Sequence, residues 1–374
     1  MKRTILVSGM IAGDPHQGGA TWAVLQYVLG FRRLGHEVFF VEPVKKMSGA
    51  SSAYFREVVR DFGLEKNATL LLSGTHETEG CGYQELRDVA KRCDVLFNVS
   101  GMLADPALIE AVPRRVYLDL DPAFIQLWHA EYGIDMRFDA HTHFVTVGLA
   151  LGSDACPVPT CGRKWTTTLQ PVLLDEWPRG NGIETNALTT VGNWRGYGSV
   201  EFRGQHYGQK AHSMRGFFEL PQRTAERLSP ALAIHPAEEK DLAALAENGW
   251  TLLDPAKVAA TPASYRAFVS GSKGELGIAK SGYVHSRCGW FSDRSVCYLA
   301  SGRPVIAQDT GFSDYLPAGE GLLSFDSVES ARAGIEEINR DYARHSRAAR
   351  ALAETHFDSD KVLARLLQNV EATA

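Results

Sequence analysis

The sequence predicts an α/β protein built as two doubly wound parallel-sheet halves. Three observations point to this. Short β-rich runs alternate with stretches of helical apolar spacing in two separate series. A chain of 374 residues is too long for one ordinary core and suits two domains. Between residues 151 and 182 the alternation stops, and Cys156-Pro-Val-Pro-Thr-Cys-Gly162, Pro171, Pro178 and Gly180 punctuate a segment of little period. That segment marks the crossing, and it places the domains at residues 1–174 and 175–374.

The first series opens with a β run at residues 4–8 that empties into a glycine-rich turn at 9–19; residues 20–34 then carry helical spacing, and Gly35-His-Glu-Val-Phe-Phe-Val41 closes a βαβ unit of the buried parallel kind. The turn lacks the compact G-x-G-x-x-G spacing of a dinucleotide site, so no nicotinamide cofactor is expected. Helices near 52–62 and 83–91 and strands near 68–72, 94–98 and 115–120 continue the alternation. In such sheets ligands bind at the carboxyl ends of strands, where the loop holding His16 and the segment Asp119-Leu-Asp-Pro122 both fall.

The second series begins with Leu188-Thr-Thr-Val-Gly-Asn-Trp194 and continues with strands at 231–235, 250–253 and 275–279 and helices at 238–248 and 262–270. Residues 282–291 read as irregular loop. Ser292 then caps a helix whose first turn holds Asp293, Arg294 and Ser295; Gly302 and Pro304 stop it, and Val305-Ile-Ala-Gln308 forms the next strand. Orphan N–H groups at that helix start, beside a cationic side chain, suit a phosphate. The carboxylate, hydroxyl and glycine bend of Asp309-Thr-Gly311 suit a polyhydroxylated ligand. Residues 328–370 read as nearly continuous amphipathic helix, long enough to reach back over the neighbouring domain.

Composition narrows the function classes. Hydrophobic content of 44% and charged content of 22% are those of an ordinary globular protein. A net charge of −5 gives no electrostatic reason to expect nucleic acid or a membrane surface as partner, so neither is expected. Six cysteines without zinc spacing, and no recognisable signal peptide, point to reduced thiols and a cytoplasmic location. No apolar run reaches the roughly eighteen residues of a membrane span.

Ala300-Ser-Gly-Arg-Pro-Val-Ile-Ala307, followed by Asp309-Thr-Gly311, resembles the A-x-G-x-P-V-I-A pattern in the donor half of GT-B glycosyltransferases. His16-Gln-Gly-Gly19 through Leu34-Gly-His-Glu-Val38 resembles the opening of their acceptor half. The resemblance implies a nucleotide-sugar donor held by the second domain, a small-molecule acceptor held by the first, and neither a metal nor another cofactor. By position it gives Ser292, Asp293, Arg294 and Ser295 to the diphosphate, and Asp309, Thr310 and Gly311 to sugar hydroxyls. His235 falls to the base and ribose, and Trp194 to the phosphate flank. Gly18, Gly19 and Trp128 fall on the acceptor side.

In the inverting branch of that family the base is a histidine of the first loop with an aspartate about a hundred residues later, which gives His16 with Asp121 or Asp119. A carboxylate on the far ring nitrogen fixes the tautomer and steadies the imidazolium. Asp119 and Asp121 also read as caps of the helix after Pro122, or as a D-x-D metal motif. The E-x7-E pair of the retaining branch falls on Gly289 and Cys297, neither of them acidic; Asp293 is the carboxylate left to replace it. Two rivals keep the fold: a nucleotide-sugar 2-epimerase or hydrolase, and a non-catalytic binding protein on a degenerate transferase scaffold.

Overall fold

The computed structural model describes residues 2–372. Its first sheet has strands β1 (Thr4–Ser8), β2 (Glu37–Val44), β3 (Ala68–Leu72), β4 (Thr78–Gly80), β5 (Val95–Val99), β6 (Arg114–Asp119), β7 (His143–Thr146) and β8 (Trp165–Thr167), in the order 4-3-2-1-5-6-7-8. All pairings are parallel except the short β4, which runs antiparallel to β3 at the edge. Ile5, Leu6 and Val7 are completely buried because helices cover both faces, so the strand reads as a continuous apolar run.

The second sheet is smaller. After β9 (Thr185–Asn193) an antiparallel hairpin of β10 (Val200–Phe202) and β11 (Gln205–Tyr207) stands apart from it. Then come β12 (Leu228–Ala233), β13 (Ser272–Gly277), β14 (Val305–Gln308) and β15 (Leu322–Phe325), giving the parallel order 12-9-13-14-15. In each sheet the first strand sits between neighbours reached in opposite directions, β1 between β2 and β5, and β9 between β12 and β13. Those two positions are the switch points at which crevices form outside the carboxyl ends.

Two local expectations are corrected. Residues 250–253 are not a strand: Leu253 makes one isolated pairing with Ala231, because Asp254 and Pro255 at once start the short Pro255–Val258 helix. Residues 282–291 are not irregular throughout either, since Ser281–Ser286 is helical and ends at Arg287 in the left-handed region.

The chain crosses between the sheets through residues 168–184 and returns near its other end. Helices Val328–Arg340 and Tyr342–Leu352 are followed by a π-helical turn, Ala353–Phe357, and the Ser359–Ala372 helix then packs on the Gly18–Arg33 helix of the first domain. Gly30 permits that approach: a Cβ there would lie 2.4 Å from Leu363 Cδ1. The outgoing and returning segments bond to each other, with Val172 N–H donating to the Phe357 carbonyl (2.7 Å) and Ser359 N–H to the Val172 carbonyl (2.9 Å). Among the described residues no helix is long and apolar enough to cross a membrane.

Candidate active site

The two switch points face each other across a cavity of about 640 Å³. The first domain contributes residues 16–20. The second contributes Val191, Gly192 and Asn193 at the end of β9, Leu232 and Ala233 at the end of β12, residues 252–256, and Asp293 with Arg294. Glu42 on β2 organises the first wall. It is fully buried, and its carboxylate accepts from the amides of Ile11 (2.9 Å), Ala12 (2.8 Å) and Gly13 (2.5 Å). Burial pushes that carboxyl up, and the three amides pull it partly back. Those three amides are therefore spent on an internal acid.

Gly18 and Gly19 lie in close contact with the second domain. Gly18 N–H donates to the Ala259 carbonyl (2.9 Å), and a Cβ at Gly18 would lie 2.3 Å from the Thr261 carbonyl oxygen. At Gly19 it would lie 2.9 Å from the Tyr265 ring. His16 is exposed at the lip of the cavity, with φ of 66° and its ring edge-on to Tyr54 at 5.1 Å.

On the opposite wall Ser292 caps the Asp293–Ala300 helix, its hydroxyl accepting from Arg294 N–H at 3.3 Å. Burial pushes the Asp293 carboxyl up at the cavity edge. Arg294 lines the cavity but is already engaged: Nε donates to Glu275 Oε1 (2.5 Å) and Nη1 to the Val191 carbonyl (3.0 Å). Glu275 is fully buried on β13, takes a further bond from Thr190 (3.2 Å), and leaves Oε2 without a partner. Lys210 lies under Gly192, where an added Cβ would meet its Cε at 3.1 Å. Its ammonium donates to the Ile278 carbonyl, and burial, helped by Arg294, pushes it down to about 7. Glu275 and Lys210 escaped the sequence reading. The available signal was one charged residue within the apolar run Gly274-Glu-Leu-Gly-Ile-Ala279.

The remaining second-domain candidates do not line this cavity. Asp309 accepts from Gly311 N–H and the Ser313 hydroxyl, both at 3.0 Å, and so caps the turn Phe312–Asp314. Thr310 donates to the Trp290 carbonyl (2.5 Å), and Gly311, at φ of 89°, lies so close to Arg287 that a Cβ would be 2.9 Å from its carbonyl oxygen. Gly289, one of the two positions lacking a glutamate, has φ of 74° and would place a Cβ 2.9 Å from Ala150 N; no side chain fits there. Ser295 is buried. Trp194 is a core residue, 1% exposed, with Nε1 donating to Asp241 at 3.0 Å. His235 lies exposed beyond β12 and accepts from Ala237 N–H (3.2 Å).

No hydrogen bond joins His16 to either aspartate among the described residues. β6 is two strands from β1, about 10 Å at ordinary strand spacing, and both aspartates are engaged elsewhere. Asp119 is completely buried and accepts from Gln126 Nε2 (2.8 Å), the Thr146 hydroxyl (2.9 Å) and Asp121 N–H (2.9 Å); burial pushes its carboxyl up to about 7. Asp121 reaches the other domain. Its Oδ1 accepts from Lys280 Nζ at 3.1 Å and from the hydroxyls of Tyr197 and Tyr283. Trp128 stands edge-on to Tyr197 at 4.8 Å, in an apolar cluster that joins helix Phe124–Tyr132 to the β10–β11 hairpin. His141 is buried, bonded to Asn98 (3.0 Å) and the Arg137 carbonyl (2.8 Å), and has a packing role.

No protein-family model and no curated protein sequence matches the chain. Solved structures do. An alpha-glucosyltransferase in complex with UDP and a 13-mer DNA containing an HMU base superposes with a TM-score of 0.64 at 14% identity, covering 99% of this chain and 100% of the other. HepE of Anabaena in complex with UDP-glucose gives 0.60 at 10% identity over 98% and 99%. The chain has the GT-B fold. The likeness spans both domains of that fold in each partner, so the GT-B assignment does not depend on a shared half. It also corrects the exclusion of nucleic acid drawn from net charge. A GT-B structure that superposes over 98% of this chain, at a TM-score of 0.63 and 14% identity, is an alpha-glucosyltransferase bound to UDP-glucose and DNA. Net charge is a whole-molecule sum, whereas binding to a polyanion depends on where the charges lie.

Proposed function

We propose that the protein is a glycosyltransferase that moves a sugar from a nucleoside diphosphate to a small-molecule acceptor, with inversion at the transferred carbon. The observation that carries this reading is the cavity formed where two GT-B switch points meet, with an amide-bearing helix start, Asp293 and Arg294 on the second-domain wall. The reading assigns Arg294, at the end of β9 and paired with Glu275, to the diphosphate, and it includes no required metal or other cofactor. A second cavity of about 520 Å³ in the first domain supports a small hydroxylated acceptor: His76 and Tyr83 stack at 4.0 Å along its wall, and Asp105 accepts from the Tyr83 hydroxyl at 2.8 Å. Six free cysteines support a cytoplasmic location.

The test is a thermal-shift series with uridine, adenosine, guanosine, cytidine and thymidine diphosphates. One of them is expected to raise the melting temperature with concentration, since a ligand of the folded form alone stabilises it. No shift with any of them would overturn the reading. Turnover of UDP-glucose in the presence of small alcohols or duplex DNA then checks the acceptor class.

A further inference from the structure

The polar cluster around Asp121, in which Tyr283 is buried and Asp121, Tyr197 and Lys280 are half-buried, is left unexplained by the donor site. Lys280 Nζ lies 3.9 Å from the centre of the Tyr197 ring, donates to that tyrosine's hydroxyl and to Asp121 Oδ1 (3.1 Å), and is 3.4 Å from the Tyr283 hydroxyl. Asp121 comes from the first domain, and the other three come from the second. All three donors converge on Oδ1, and none reaches Oδ2, although the Asp121 side chain is 36% exposed. The cluster lies at the same strand ends as the cavity: Tyr197 follows β9, whose residues Val191, Gly192 and Asn193 line the cavity, and Lys280 follows β13, which pairs with β9.

From this geometry we propose that Tyr197, Lys280 and Tyr283 are positioning residues that hold Asp121 as the carboxylate receiving the acceptor's proton, so the centre is complete only when the two domains meet. The inference rests on the glycosyltransferase reading. In the step it describes, the acceptor oxygen bonds to the anomeric carbon while its proton passes to Asp121 Oδ2. The bond from that carbon to the diphosphate oxygen breaks, and its electron pair leaves with the nucleoside diphosphate.

The charged and titratable groups facing Asp121 are Asp119 on its own segment, Tyr197 before the hairpin, Lys280 and Tyr283 after β13, and Asp293 at the helix start. Burial alone would push the Asp121 carboxyl up, but Lys280 and the two hydroxyls hold it below the ordinary aspartate value. Removing the lysine should therefore make Asp121 protonate at higher pH.

The experiment follows hydrolysis of UDP-glucose by the full chain from pH 4 to 9, with water as acceptor, beside calorimetric binding of UDP. For Asp121→Asn we expect kcat to fall about a hundredfold or more, with UDP affinity within twofold of the parent. In Lys280→Met the acid limb of the kcat/KM profile should move up by about one pH unit; Lys280→Arg should restore it, and Tyr197→Phe should move it less. An acid limb that stays in place in Lys280→Met while UDP still binds would overturn the inference alone. If the parent neither binds UDP nor turns over UDP-glucose at any pH, the glycosyltransferase reading with this donor falls, and the inference falls with it. Should Lys280→Met fail to fold, Tyr197→Phe and Lys280→Arg carry the comparison.

Discussion

Two of the places where the domains touch are built from opposite materials. At Gly18 the contact is backbone on backbone, amide to carbonyl, and at Gly19 backbone lies against the uncharged Tyr265 ring. At Asp121 it is a carboxylate, an ammonium and two phenols. The first contact has no slack and no charge, and fixes where the domains meet. The second is directional, sensitive to pH and salt, and suited to report whether they have met.

Three further measurements would break or sharpen that contrast. Gly18→Ala is expected to have the largest effect, because its Cβ would stand 2.3 Å from a backbone oxygen that has nowhere to go. It should cost about 1–3 kcal/mol in urea unfolding, an overpacking penalty. A neutral result would mean that the domains redock with little loss. Next is the pH dependence carried by Asp119. The folded chain keeps that proton up to about 7, whereas an ordinary aspartate loses it near 3.8. Its contribution to stability is therefore complete below about pH 4 and is lost as pH rises through 7. Asp119→Asn should flatten that fall in urea midpoints between pH 4.5 and 7.5; an unchanged slope would assign it to other groups. The smallest effect is expected for Tyr197→Phe, which removes one of three donors to Asp121 and should cost about 1 kcal/mol, while leaving Gly18-type packing untouched.

Sequence pattern exposed the regular parts well. The alternation of both domains, the Ser292 cap and the Gly302-Arg-Pro304 stop depend on neighbours a few residues away, and periodicity reports such neighbours directly. The cross-domain cluster was hidden for the opposite reason. Tyr197, Lys280 and Tyr283 lie 76, 159 and 162 residues from Asp121, and no local pattern marks a lysine that meets its counter-ion across a cleft. His16 and Asp121 are not hydrogen-bonded in the structure, where β5 is inserted between β1 and β6, a placement that a separation of about a hundred residues does not reveal. Arg294 lines the cavity, and its engagement with Glu275 depends on strand order in the second sheet, which a single sequence leaves open.

The paired crossing at Val172 and Phe357–Ser359 has a mechanical consequence. Two chain segments tied edge to edge behave as a ribbon, which flexes readily across its flat side and resists torsion. Any separation of the lobes would have to bend this tie, and it would break the cross-domain bonds to Asp121. Cutting the polypeptide between the sheets would not yield two autonomous modules either, because the first lobe would lose the helix that covers Gly30.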